Sequence, residues 1–214
     1  AMTHTGETRL NSSNQLLTTV AYRLQGKPSY ALEGSVFAAG VAIKWLRDKL
    51  RVIADANETE ACATATNGDT QGVYVVPAFA GLGAPHWQPE ARGMISGLTL
   101  DSSREQIVTA TLASVAYQTE ALAQALKQDD CSMSVLCIDG GMVSNGWLCQ
   151  FLADIVDVSV ERPRVTETTA LGAAMLAGVG AGVFDSLVQA GQNCVHSDKR
   201  FEPKMTASLR DELL

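Results

Sequence analysis

The sequence predicts an α/β protein whose strands are covered by helices on both faces. Three observations indicate this fold class. Residues 135–155 have the pattern of a strand, a glycine turn and a helix. A capping-box pattern from Ser103 to Gln106 opens a long helix that ends near Gln128. Short β-prone segments alternate with helical segments over most of the length, which is typical of strands packed between helices.

The first thirty residues are expected to form strands and turns. Leu16–Tyr22 is β-prone and mostly apolar. Turn-forming residues lie on either side of it, at Asn11–Asn14 and at Gln25–Pro28. This arrangement predicts a β-hairpin.

The next predicted element is a helix over Glu33–Leu50. Its apolar residues surround the helix axis from Val36 to Ile43, so we expect it to be buried. Gly40 lies inside this predicted helix, where glycine costs about 1 kcal/mol relative to alanine. Either close helix packing or the approach of a ligand would account for a glycine at this position.

The middle of the chain supplies two short strands and the loop between them. Val73–Val76 is expected to be a buried strand, and Gly93–Leu98 resembles another. Pro77–Pro89 carries several glycines and prolines and is expected to be a loop. The capping-box helix that follows has one regularly spaced face: Ile107, Ala110, Thr111, Ser114, Tyr117, Gln118, Ala121 and Leu122.

The strand–turn–helix segment carries the main ligand-binding signal. Val135–Ile138 is expected to be a buried strand, and Gly140 and Gly141 permit a sharp turn and close backbone approach. Ser144 is the expected N-cap of the following helix. That helix packs by one face: Trp147, Leu148, Phe151, Leu152 and Ile155. A glycine turn before a helix N-terminus can bind phosphate or a nucleotide, but it also occurs as an ordinary strand–helix connection.

The C-terminal part predicts one more strand and one more helix. Val158–Val160 is β-prone. Ala170–Phe184 is uncharged and rich in small residues, which indicates a buried helix that is too short to span a bilayer. Thr166 or Thr168 is its expected cap, and a polar tail is expected from Asp185 onward.

Composition excludes several classes of function. The chain is 46% hydrophobic and 18% charged, which are values of an ordinary globular protein. Its net charge of −7 argues against general binding to nucleic acid or to an anionic membrane. The odd number of cysteines and the absence of a CxxC pair fit a reducing cytoplasm with buried thiols. The five cysteines are Cys62, Cys131, Cys137, Cys149 and Cys194.

Six segments, in order, resemble the FGGY family of carbohydrate kinases, and most closely its members that phosphorylate glycerol. Six matches in the right order are far more specific than any one of them. The segments are Tyr30–Phe37, Gly40–Asp48, Val75–Trp87, Ala110–Gln118, Asp139–Asn145 and Val160–Ala174. Ala113 departs from the family signature, which usually carries an acidic or amide residue there.

The resemblance implies an actin-like ATPase, or ribonuclease-H-like, domain with a mixed sheet flanked by helices. Residues 1–214 would be the C-terminal nucleotide-binding domain of an FGGY kinase, with the N-terminal domain absent and the last helix truncated. The full-length enzyme would phosphorylate glycerol with ATP and Mg²⁺, as a homo-oligomer without nucleic-acid or membrane partners. Its catalytic aspartate would lie upstream, so the chain alone is expected to be inactive.

The resemblance places the nucleotide on four residues. Gly40 and Lys44, one helical turn apart, would face the ribose. Gly141 and Asn145 would line the adenine and its sugar. Many relatives carry Gln where this chain has Lys44, and an ammonium donates hydrogen bonds but accepts none. A solvent-exposed lysine is the ordinary alternative for Lys44.

The sequence alone leaves open the roles of two further residues, His86 and Asp139, and two alternative functions. His86 could act as an acid or base, but a histidine beside Pro and Trp more often packs a loop. Asp139 could serve an active site, although a hydrogen bond to its own turn is the more ordinary role. No cluster has the spacing of metal ligands. The alternative functions are another FGGY kinase, acting on xylulose or gluconate, and a non-catalytic ATP-binding domain of the actin and chaperone type.

Overall fold

The computed structural model describes all residues from Ala1 to Leu214, and they form two compact units. Unit 1 contains Ala1–Met133 together with Thr206–Leu214, and unit 2 contains Ser134–Met205. The chain therefore leaves unit 1, builds unit 2 and returns to unit 1. No helix combines the length and the apolar character that crossing a bilayer would require.

Unit 1 contains two antiparallel sheets. The first has the strand order β1-β3-β2, with β1 over Met2–Gly6, β2 over Leu17–Leu24 and β3 over Lys27–Glu33. The second pairs β4 (Tyr74–Val76) with β5 (Met94–Ser96). Both predicted strands in the middle of the chain are confirmed, with shorter bounds than the sequence suggested. The expected burial of the first holds only in part, because Tyr74 is exposed.

The predicted N-terminal hairpin is confirmed as the β2–β3 pair. Its turn consists of Gln25 and Gly26, whose φ angles are 49° and 81°. Two successive residues with positive φ form the kind of turn whose twist matches that of antiparallel strands. Lys27 and Pro28, which the sequence assigned to the turn, already belong to β3.

The predicted helix over Glu33–Leu50 is only partly correct. Glu33 ends β3, and helical structure begins at Gly40 with α1 (Gly40–Trp45) and continues as a π-helical segment over Leu46–Leu50. Gly40 is thus the first helical residue and not an interior one, so the cost of an interior glycine does not apply. The expected burial also fails in part, because Val41 is 51% exposed. Residues 34–39 are irregular, and an apolar pattern alone does not distinguish irregular structure from a helix.

The capping box is confirmed at both hydrogen bonds. The Ser103 hydroxyl accepts from the backbone N–H of Gln106, and the Gln106 side chain accepts from the N–H of Ser103. The helix α3 covers Arg104–Gln128 as predicted. A further helix, α2 (Glu58–Ala65), was not predicted, because its sequence has no apolar periodicity, and it packs against α3.

The core of unit 1 lies against α3. Its buried apolar residues form two clusters, one between α3 and the first sheet and one between α3 and the second. The clusters contain Leu16, Leu32, Ala84, Leu122, Ala125 and Leu126, and then Val73, Val75 and Ala110.

Unit 2 contains one mixed sheet of order β6-β7-β8, with β6 over Val135–Cys137, β7 over Ser159–Pro163 and β8 over Ser197–Phe201. The β6–β7 pair is parallel and the β7–β8 pair is antiparallel. The helix α4 (Gly146–Val156) packs on β7 and β8 and buries four of the five apolar residues predicted from its spacing, while the fifth, Trp147, is half-buried. The other helices are α5 (Thr168–Gly180) and α6 (Leu187–Cys194).

Three predictions for unit 2 are wrong. The strand β6 is not buried, since Val135 and Leu136 are half-buried and Cys137 is exposed. No residue of α5 is buried, because α6 is the element that packs on it and leaves most of its surface to solvent. The residues after Asp185 are not simply a polar tail. They form the helix α6 and the strand β8. The backbone hydrogen bonds that pair β8 with β7 do not depend on apolar side chains.

The final helix, α7 (Ala207–Leu213), is linked to α3 within unit 1 by an ion pair. Arg210 Nη2 lies 2.8 Å from Glu120 Oε1, and the two side chains are 18% and 6% exposed. Gln124 Nε2 donates to the same oxygen at 2.6 Å. The Glu120 carboxylate is therefore buried with an ionic partner and a second hydrogen bond, as a buried charge requires.

Candidate functional site

The turn after β6 has a backbone shape that glycine alone adopts readily. Gly140 has φ 82° and ψ −179°, a conformation that is essentially restricted to glycine. Its N–H donates to the carbonyl of Thr166 at 3.0 Å, which ties the turn to the residues before α5. Gly141, which follows, begins a 3₁₀ turn over Gly141–Ser144.

Gly141 borders open space. A Cβ atom built on it would meet no atom within 4 Å beyond its chain neighbours, and the residue is solvent-exposed. The conformational requirement for glycine therefore rests on Gly140, while Gly141 leaves the surface of the turn accessible. This is the arrangement that close approach of a ligand to the backbone needs.

Asn145, and not the predicted Ser144, is the N-cap of α4. Its Oδ1 accepts from the backbone N–H of Leu148 at 2.9 Å, and the residue is 8% exposed. The Ser144 hydroxyl instead donates to the carbonyl of Gly141 at 2.9 Å, because the 3₁₀ turn moves the helix start by one residue. Asn145 thus has a structural role in addition to any contact with a ligand.

Asp139 lies at the end of β6, and its side chain accepts a hydrogen bond from the hydroxyl of Thr168. Asp139 thus has a structural hydrogen bond, but its partner is a residue of α5, whereas the sequence predicted a bond to its own turn. The bond also corrects the predicted cap of α5, since Thr168 is the first helical residue and the N-cap, Glu167, makes no side-chain capping bond. Thr166 contributes only its carbonyl, to Gly140.

A cavity of about 230 Å³ adjoins this turn within unit 2. Asp139 and Thr168 line one side of it, and Arg162 and His196 belong to the same lining. Cys137 also lines it. Although the residue is exposed as a whole, partial desolvation of its thiol, followed by the negative charge of Glu161, raises the pKa of that thiol. A raised pKa keeps this cysteine protonated and unreactive at neutral pH.

The other two predicted nucleotide residues lie in unit 1. Gly40 begins α1 and is half-buried, and Lys44 is exposed in the last turn of the same helix. The structure therefore brings Gly40 and Lys44 together on α1, and it brings Gly141 and Asn145 together at the start of α4. Each pair belongs to a separate unit.

His86 has no partner that would make it an acid or base. Its side chain is exposed, and its backbone N–H donates to the carbonyl of Gly83 at 3.0 Å in the Pro77–Pro89 loop. The neighbouring Trp87 anchors this loop through a hydrogen bond of 2.7 Å from Nε1 to the carbonyl of Gln15.

Sequence reasoning missed one residue that contacts the glycine turn. Arg162, on β7, donates from Nη1 to the carbonyl of Val143 at 3.1 Å. No local pattern identifies this contact, because the two residues belong to different elements and the acceptor is a backbone atom. The order of the β6-β7-β8 sheet is what brings them together.

Comparisons with a family profile and with individual proteins agree on one family. The profile of the "FGGY family of carbohydrate kinases, C-terminal domain" matches residues 1–181. A glycerol kinase of Rhodospirillum rubrum is 56% identical over the whole chain, which covers 43% of that protein. Glycerol kinase 1 of Pseudomonas aeruginosa is 54% identical over 98% of the chain, which covers 42% of that protein. The chain thus spans less than half the length of these relatives.

Solved structures agree with this result. The crystal structure of Plasmodium falciparum glycerol kinase with ADP matches 99% of the chain with a TM-score of 0.88 and 37% identity, over 42% of its own length. A ligand-bound xylulose kinase from Lactobacillus acidophilus matches 99% of the chain with a TM-score of 0.83, over 42% of its length. Its 21% identity supports the fold alone.

The predicted fold class is confirmed by these likenesses, since the structural neighbours are FGGY kinases with the actin-like ATPase fold. The profile match covers both the glycine turn of unit 2 and the start of α1 in unit 1. The chain belongs to the FGGY family of carbohydrate kinases.

Proposed function

We propose that the protein containing this chain phosphorylates glycerol to glycerol 3-phosphate with ATP, and that this chain supplies the adenosine-binding half of the site. The observation that carries the proposal is the identity of 49–56% to eight proteins named glycerol kinase, over at least 98% of the chain. The xylulose and gluconate kinases that share the fold are each about 21% identical in sequence.

The glycine turn supports the nucleotide part of the proposal. Gly141 leaves open space at the N-terminal end of α4, and backbone N–H groups at a helix start favour anionic and polar ligands. Asn145, fixed by its capping bond, would line the adenosine beside it. Gly40 and Lys44 would face the ribose from α1. The ADP-bound glycerol kinase that shares this fold is consistent with nucleotide binding here.

The proposed reaction moves one phosphoryl group. A terminal hydroxyl oxygen of glycerol attacks the γ-phosphorus of ATP, the bond from that phosphorus to the bridging oxygen of ADP breaks, and the hydroxyl proton passes to an aspartate. We expect that aspartate to lie outside these 214 residues, as the family resemblance implies. This chain would hold the adenosine end of ATP, so its contribution is the orientation of the phosphoryl donor.

Mg²⁺ accompanies ATP in this proposal, bound mainly through the phosphates of the nucleotide. No group of three or more His, Cys, Asp or Glu side chains converges in the structure. Mg²⁺ commonly keeps several waters and binds through nucleotide phosphates with one or two carboxylates. The assignment of residues 1–214 to a C-terminal domain and the homo-oligomer of the whole protein remain predictions.

Steady-state kinetics of the whole protein test the proposal. With MgATP we expect turnover of glycerol and only background turnover of xylulose and gluconate, each compared by kcat/KM. Glycerol 3-phosphate should be the product, identified by mass. A preference for xylulose or gluconate would replace glycerol as the substrate, and ATP binding without transfer to any polyol would favour the non-catalytic alternative.

Replacing Asn145 separates its structural role from its binding role. Asn145→Ala removes the cap of α4 and is expected to lower the free energy of unfolding by about 1 kcal/mol, and to raise the KM for ATP more than the KM for glycerol. Asn145→Ser keeps a capping oxygen, so its stability should stay near that of the wild type while the KM for ATP still rises. Urea unfolding and kinetics measure the two effects. A KM for ATP that follows stability in both variants would contradict a direct contact.

A further inference from the structure

The carbonyl oxygen of Val143 is held from two sides. Arg162 Nη1 donates to it at 3.1 Å, and Cys149 Sγ donates at 3.3 Å. Val143 is 5% exposed and lies in the 3₁₀ turn between Gly141 and Asn145. A buried carbonyl with two donors fixes the peptide plane that follows it, and that plane belongs to the backbone joining the two proposed nucleotide residues.

The guanidinium of Arg162 is itself fixed by its neighbours on the sheet. Its Nε and Nη2 both lie within 2.9 Å of Asp198 Oδ2 on β8, at 2.9 and 2.7 Å. Its Cζ lies 5.8 Å from the centre of the Phe201 ring. The planar arginine fork is held on one edge by the carboxylate, so its remaining N–H group points in a defined direction, toward Val143.

We propose that Arg162 is a positioning residue for ATP, acting through the Val143 carbonyl on the turn that carries Gly141 and Asn145. This inference rests on the proposed function and extends it to a residue on a neighbouring strand. Lysine cannot replace it fully, because a single ammonium on a flexible stem cannot hold Asp198 and Val143 with the fixed geometry of a guanidinium.

The test compares three variants of the whole protein. Arg162→Met keeps the apolar stem and removes every donor, and we expect the KM for ATP to rise about 3- to 10-fold, the loss that one hydrogen bond accounts for. The KM for glycerol should stay within about 2-fold, since hydrogen bonds made to the nucleotide turn act on nucleotide binding. Arg162→Lys should recover part of the loss.

Arg200→Met is the matched control. Arg200 lies on β8 in the same sheet and bonds to Glu161 at 3.1 Å, Glu202 at 2.6 Å and the Ser159 hydroxyl at 2.8 Å, and it makes no hydrogen bond to the glycine turn. Arg200→Met should leave the KM for ATP unchanged. Its melting temperature should fall by about as much as that of Arg162→Met. Equal KM values for ATP in Arg162→Met and Arg200→Met, or an equal rise in the KM for glycerol, would overturn the proposal.

Two further measurements keep the outcome decisive. If Arg162→Met does not fold, Arg162→Lys takes its place, and a wild-type KM for ATP in that variant would overturn the proposal. Calorimetry with ADP measures nucleotide affinity without turnover. A wild-type protein that binds ADP but does not phosphorylate glycerol would refute the proposed function, while weaker ADP binding by Arg162→Met would still support the role of Arg162.

Discussion

Replacing Gly141 with valine is expected to raise the KM for ATP by at least about 10-fold, equivalent to about 1.4 kcal/mol of lost binding. The branched side chain would fill the open space beside the 3₁₀ turn, which the proposed function gives to the nucleotide. The melting temperature should change little, because a Cβ at this position meets no neighbouring atom and Gly141 has no positive φ. Kinetics with ATP varied at saturating glycerol, together with a thermal melt, measure both quantities.

Gly140→Ala is the matched control, because the two glycines are adjacent and differ in what they require. Gly140 has φ 82° and ψ −179°, where a side chain costs of the order of 1–3 kcal/mol of stability. Gly140→Ala should therefore lower the melting temperature more than Gly141→Val does. A Gly141→Val protein with the wild-type KM for ATP would show that the open face of the turn does not receive the nucleotide.

Replacing Arg210 with methionine is expected to lower the free energy of unfolding of unit 1 by about 3 kcal/mol. Methionine keeps much of the apolar stem but leaves the Glu120 carboxylate, 6% exposed, without its ionic partner. Gln124 would remain as a donor to Oε1, but a neutral amide does not balance the charge. Urea unfolding followed by circular dichroism measures the change.

Two controls separate the ion pair from a general effect of removing arginine. Arg92→Met removes a contact of 4.0 Å with Glu90, between side chains that are 65% and 93% exposed, and two exposed hydrogen bonds to the carbonyls of Pro89 and Ala91. These are surface interactions, so stability should fall by no more than about 1 kcal/mol. The double variant Glu120→Leu with Arg210→Met removes the buried charge as well and should regain most of the loss. No loss in Arg210→Met alone would mean that α7 contributes little to unit 1.

The sequence predicted best those elements whose signals are local. The capping box at Ser103 and the apolar spacing of α4 each lie within one element, and both are confirmed. The predicted N-cap of α4 was wrong by one residue. A 3₁₀ turn before a helix has no distinctive residue composition, and both Ser144 and Asn145 are of types that cap helices well.

The errors come from elements whose state depends on distant parts of the chain. The apolar composition of α5 predicted burial, but burial also needs neighbours, and in this chain α6 covers only one side. The strand β8 is exposed along most of its length and is held by its pairing with β7, which side-chain patterning does not report.

The candidate site shows the same division. The glycine turn that contains Gly141 is a signal of consecutive residues, whereas Asn145 was proposed from the family resemblance, since the local pattern favoured Ser144 as the helix cap. Arg162 was missed because its acceptor is the backbone carbonyl of Val143, on another element, and a backbone acceptor leaves no trace in residue type.

The return of α7 to unit 1 has a consequence for the order in which the protein is made. Synthesis proceeds from the N-terminus, so every residue of unit 2 leaves the ribosome before Arg210 does. Until then Glu120 on α3 lacks the cation that it pairs with in the complete unit. Unit 2 can therefore complete its fold while unit 1 still lacks α7.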